Sequence, residues 1–179
     1  MDKLFGLPAH PFLVHIPIVL LPLSALGTVA IVARRKWYLA YRWVVLAIAV
    51  VGTGGAVLAA SAGDELEGRI IDIEGPQAAG RWEHHAELGE TARNVALVYV
   101  VLLAAYVIIP WLLERRRASP AADGSAPDVE AAGTAQRWLR PMLAALALIG
   151  GVASTVTIVQ AGHTGSKSVW EETIKPAGG

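Results

Sequence analysis

The chain has 179 residues, 54% of them hydrophobic, with a mean hydropathy of +0.48, zero formal net charge and no cysteine. Neutrality leaves no basic face for nucleic acid. The absence of cysteine excludes disulfides, thiolate-held iron–sulfur clusters and covalent c-type haem attachment, so candidate ligands are histidine, carboxylates and backbone.

Four apolar runs are each long enough to cross ~30 Å of hydrocarbon as a helix. They predict an all-α fold: an integral membrane four-helix bundle forming a single domain over 1–179, with helices at about 10–33, 43–63, 85–113 and 138–162. The first opens His10-Pro11-Phe12-Leu13-Val14-His15-Ile16-Pro17. Pro11 suits a first helical turn, where its missing N–H is not needed. Five residues turn a helix by about 500°, so His10 and His15 point in different directions and do not chelate one small ion together. Pro17 and Pro22 each remove a helix hydrogen bond, which opens space for a ligand or serves packing. Arg34-Arg35-Lys36 follows the run rather than preceding it, so the run reads as a retained helix and not a signal peptide.

The second run carries Gly52, Gly55, Ala56, Ala59 and Ala60 and reads as packing scaffold. An acidic link, with Asp64, Glu65, Glu67, Asp72, Glu74 and Glu83 against Arg69 and Arg81, leads to the third run. That run opens Trp82-Glu83-His84-His85-Ala86-Glu87-Leu88-Gly89-Glu90. Helical spacing sets Gly89, Ala92 and Ala96 beneath His85, a smooth stripe that suits a flat macrocycle or close helix packing. Glu83, Glu87, Glu90 and Asn94 form a wetter stripe, with Arg93 alongside. Its bland reading is a solvated helix start; the alternative is that His84, Glu87 and Glu90 stand behind a ligand and fix a histidine tautomer.

Residues 114–137 predict a flexible cytoplasmic loop, rich in Ala, Pro, Gly, Ser and Asp. The fourth run ends Gln160-Ala161-Gly162-His163-Thr164-Gly165, where glycines beside His163 allow close backbone approach. Trp170 lies beyond it as an interfacial anchor, and Trp37, Tyr38, Tyr41 and Trp43 predict the opposite aromatic belt. The basic links, Arg34 to Arg42 and Arg115 to Arg140, belong in the cytoplasm. Both termini and all five histidines then face the extracytoplasmic side of a bacterial inner membrane. Ionisable groups at that depth mark a functional site by default.

The pattern H-P-x-x-V-H-x-P at His10, H-x-x-L-G from His85 to Gly89, and G-H-x-G from Gly162 followed by the aromatic Trp170 resembles the four-helix bacterial membrane proteins called domain of unknown function 2231. The resemblance covers nearly the whole chain. It implies the bundle fold, brings no established activity, and marks His10, His15, His85 and His163 as the positions that matter. Where family members often carry a further histidine after the aromatic, Glu171-Glu172 stand here.

Three functions are open at this point. One is a haem b protein, with axial histidines drawn from His15, His85 and His163 (four histidines would serve two haems), moving electrons between membrane quinol, or another redox partner, and an exported acceptor. Another is zinc, copper or non-haem iron held by three or four histidines with Glu87 and Glu90. The third is a non-catalytic accessory or structural subunit whose histidines tie helix ends together. The lipid bilayer is the expected surrounding, and the small-residue faces permit a homodimer.

Overall fold

The computed structural model describes residues 3–4, 6–76, 79–118 and 129–174. A two-stranded antiparallel ribbon, β1 (Lys3–Leu4) and β2 (Leu7–Pro8), leads into α1 (His10–Leu13), α2 (His15–Ala33), α3 (Arg35–Glu74), α4 (Ala79–Ala118) and α5 (Val129–Ile174).

α1 and α2 run on as one span: Val14 between them keeps helical dihedrals (φ −62°, ψ −24°), its N–H bonds the His10 carbonyl and its carbonyl accepts from Ile18. Pro17 has no N–H to give the carbonyl four residues back, at Leu13, where α1 stops. One hydrogen bond is missing there, and α1 packs on α3. At the other end of α2 the turn is a single residue. Arg34 is extended (φ −136°, ψ 118°), and its carbonyl accepts the Trp37 and Tyr38 amides of the next helix.

α2 packs on α3, α3 on α4, α4 on α5, and α5 back on α2, closing a four-helix ring. All four long helices are long and apolar enough to span a membrane, through His10–Ala33, Arg35–Ile73, Trp82–Arg116 and Arg137–Lys167. The polarity is arranged for lipid. Val19, Leu26, Val51, Val101, Ile149 and Val152 are each more than half exposed on the outside, while Ser24, Thr28, Thr53 and Ser154 are buried inside. In hydrocarbon the apolar exterior costs nothing, and two of these hydroxyls bond between helices, Ser24 bonds back to Leu21 in its own helix, and Ser154 Oγ is buried without a partner. Thr28 Oγ1 lies 2.8 Å from Tyr99 Oη, and Thr53 Oγ1 donates to the Ala96 carbonyl at 3.3 Å.

Close approach is bought with glycine. A Cβ on Gly27 would stand 2.9 Å from Val45, and one on Gly55 would collide with Ile16. Tyr99 lies across Gly150 and Gly151, at 3.3 Å from where either side chain would begin.

The helices outrun the expected boundaries. α3 begins at Arg35 rather than near 43 and continues through the acidic stretch to Glu74, stopping at Gly75 (φ +90°). α4 and α5 cover 114–118 and 129–137 of the expected loop, and 119–128 lies outside the described residues. At 1.5 Å per residue, α3 is about 60 Å long, twice the hydrocarbon thickness. The belt also needs one correction. Trp37, Tyr41 and Trp43 are exposed as anchors should be, but Tyr38 is 1% exposed and belongs to the core.

Candidate functional site

His10, at the start of α1, faces α3. Its Nδ1 donates to the Ala59 carbonyl of α3 at 2.7 Å. A carbonyl only accepts, so Nδ1 carries the proton and Nε2 of the neutral ring keeps its lone pair. The ring can come this close because the residue one turn beyond Ala59 is Gly63, where a Cβ would stand 3.1 Å from Nδ1.

His85 on α4 is held in the same manner by α5. Thr164 Oγ1 donates to the carbonyls of Ala161 (3.0 Å) and Gln160 (3.2 Å), and accepts from His85 Nδ1 at 3.2 Å. The ring rests on Gly165, where a Cβ would meet Cε1 at 2.8 Å. Each imidazole is therefore seated on a glycine of a neighbouring helix, its Nδ1 occupied and its Nε2 available. The two ring centroids are 6.0 Å apart, with planes at 84°.

Both rings line a cleft of about 310 Å³ and a smaller recess of about 110 Å³ beside it. The floor is small and apolar, with Ala56, Ala59, Gly89, Ala161 and Gly162. Two polar groups join the wall. Trp82 Nε1 is buried with no hydrogen-bond partner. Arg93 lines the same cleft and donates to Glu90 at 3.2 Å.

The remaining candidates lie elsewhere. His15, His84 and His163 are exposed. The different directions expected of His10 and His15 are present, one inward and one outward. His84 lies 4.0 Å from Glu87, on the outside of the helix, and Glu90 serves Arg93. The role of fixing a tautomer thus falls to Thr164 for His85 and to the Ala59 backbone for His10. Among the described residues no group of three or more His, Cys, Asp or Glu is placed to hold a metal ion. The stripe under His85 divides: Ala92 and Ala96 are buried in helix packing, and Gly89 faces the cleft.

Residues 6–177 match the family described as "Predicted membrane protein (DUF2231)". The chain belongs to this family. No curated protein and no solved structure matches it. Of the DUF2231 pattern positions, His10 and His85 meet in the cleft with Gly89, Gly162 and Gly165 around them, while His15 and His163 face outward. Sequence reasoning missed Gly63, Thr164 and the Ala59 carbonyl as supports, and Trp82 as an unpaired donor.

Proposed function

We propose that this protein binds one haem b, which His10 and His85 would hold, and passes electrons at the histidine end of the bundle. The observation that carries the proposal is the imidazole pair. Two imidazoles that share one ion, with metal–nitrogen bonds of about 2 Å, need ring centres no more than roughly 6 Å apart. His10 and His85 stand at 6.0 Å, each with Nδ1 tied back and Nε2 free. An anchored Nδ1–H orients a ligating ring and makes its other nitrogen a stronger donor.

The donor set suits haem better than a bare ion. Zinc takes three or four protein ligands. Haem iron takes at most two, because the macrocycle supplies the others. The small apolar floor suits a flat ring, and Trp82 Nε1 and Arg93 suit its carboxylates. Bound there, the group would supply one-electron transfer at the iron. The chain's own work is to fix two imidazoles, exclude water with apolar walls and offer donors at the rim. The charge pattern supports an extracytoplasmic position for this end, with quinol in the bilayer and an exported acceptor as the redox partners.

The test is an absorption spectrum of detergent-purified protein, made with ample haem, before and after dithionite. A Soret band with sharp reduced α and β bands is expected. His10→Ala and His85→Ala should each abolish it; His15→Ala, His84→Ala and His163→Ala should keep it. A featureless spectrum from folded wild-type protein overturns the proposal.

A structural reading is favoured by the same two bonds. His10 ties α1 to α3, and His85 ties α4 to α5. On that reading, substituting either lowers thermal stability and there is no cofactor signal to lose.

A further inference from the structure

The arginine-rich end of the bundle holds a second locus, independent of the histidines. Tyr38 is buried there, and two guanidinium groups lie over its ring. Arg42 of α3 is 5.1 Å from the centroid and Arg140 of α5 is 4.6 Å from it. Arg42 also lies 5.6 Å over Trp43. The ring is fixed, because the Tyr38 hydroxyl donates to the Val107 carbonyl of α4 at 3.3 Å. The Tyr106 ring meets Tyr38 edge-on at 5.4 Å. Its hydroxyl lies beside Arg140.

Arg42 is incomplete as it stands. Its Nε and Nη1 are shut off from solvent with no hydrogen-bond partner. Aromatic faces attract the charge of a guanidinium but do not accept its in-plane N–H groups. A buried charged donor without an acceptor is costly. Among the described residues no carboxylate pairs with Arg42 or Arg140. Two cations from different helices are thus held on one tyrosine; Arg140 is hydrogen-bonded to the Tyr106 hydroxyl, and Arg42 keeps two buried donors without an acceptor.

We infer that Arg42 and Arg140 form an oxyanion site and that its ligand is a phosphate group. The planar guanidinium presents its N–H groups to phosphate oxygens in pairs, and a phosphate would supply the acceptor that the buried donors of Arg42 lack. The depth fits a headgroup. Trp43 and Trp111 meet edge-on at 5.5 Å, and exposed Trp37 and Tyr41 complete a belt of the kind found at the membrane–water boundary. Basic pockets between helices at that boundary bind anionic lipid headgroups. The same oxyanion also exists in solution as inorganic phosphate, and the experiment separates the two sources.

The full chain in detergent is titrated with phosphatidylglycerol, with phosphatidylcholine and with inorganic phosphate, and bound ligand is read by native mass spectrometry. Wild type should retain phosphatidylglycerol about tenfold better than phosphatidylcholine. Arg42→Gln and Arg140→Gln should each lose that preference, and Arg35→Gln, at an exposed arginine outside the site, should keep it. Arg42→Lys keeps the charge without the fork and should fall between. Helical content by circular dichroism shows that each variant is folded. Inorganic phosphate that binds wild type, is lost in Arg42→Gln and displaces the lipid would make solution the source and leave the site standing. Equal binding of both lipids, or folded Arg42→Gln and Arg140→Gln proteins that bind as wild type does, overturns the site.

Discussion

The finest control of the cleft rests on two hydrogen atoms, the missing side chains of Gly63 and Gly165. A methyl at 165 would start 2.8 Å from His85 Cε1, so the ring must tilt and its bond to Thr164 must stretch. Gly165→Ala should therefore weaken haem retention about tenfold, a loss comparable to one hydrogen bond to a ligating ring. Helix propensity acts in the opposite direction, since alanine in a helix is worth about 0.5–1 kcal/mol over glycine. The expected signature is a thermal midpoint without haem that holds or rises while haem is lost. Gly54→Ala, where nothing lies within 4 Å, should raise the midpoint and leave the haem spectrum alone. Retained haem in Gly165→Ala would show that the ring does not depend on this seat. The sequence marked Gly165 because it follows a histidine by two positions. It could not mark Gly63, whose partner His10 is far away in the chain, nor Ala59, whose contribution is a carbonyl that every residue owns.

Between elements, the bundle is joined by hydroxyls set among small residues. Tyr99 crosses the Gly150-Gly151 face of α5 and reaches Thr28 on α2, so one side chain links three helices. Tyr99→Phe and Thr28→Val should each destabilise the protein. Their coupling in a double-mutant cycle should be about 0.6 kcal/mol, read from unfolding in mixed micelles. A coupling of zero would mean that the two hydroxyls find other partners once separated. The existence of these helices was legible in the sequence, and their ends were not. Hydropathy reports where lipid stops, and so placed the end of the second helix near residue 63. Hydrogen bonding decides where a helix stops, and residues 64–74 continue it in water until Gly75. The first span is the exception: its expected bounds, 10–33, are those of the structure, and the absent N–H of Pro17 removes one bond within it without ending it.

For the whole molecule, orientation is the property that decides which compartment the cleft serves. The chain has no cysteine, so single introduced thiols report it cleanly. Gly68→Cys sits on the acidic end of α3 with open space around it, and Arg116→Cys sits at the exposed basic end of α4. A membrane-impermeant maleimide added to intact spheroplasts should label the Gly68→Cys protein and should label the Arg116→Cys protein only after lysis. The reverse pattern would put the cleft in the cytoplasm. Four spans and an end-clustered set of histidines could be read from hydropathy and charge alone. Which two of the five would meet depends on how the helices are rotated against one another and on two glycine seats across the bundle, and those are matters of three-dimensional packing.

The imidazole pair occupies one end of the ring of helices, formed by the start of α1, residues near 60 of α3, the start of α4 and residues near 165 of α5. Carrying one charge across a membrane at 100 mV involves about 2.3 kcal/mol. A centre at one end asks its visitors to make no such crossing: a charge that arrives from and leaves to the same face traverses none of the field. Electron transfer of the proposed kind in this cleft would therefore be insulated from the energised state of the membrane. It would run at the same equilibrium in a fully polarised cell and in a collapsed one.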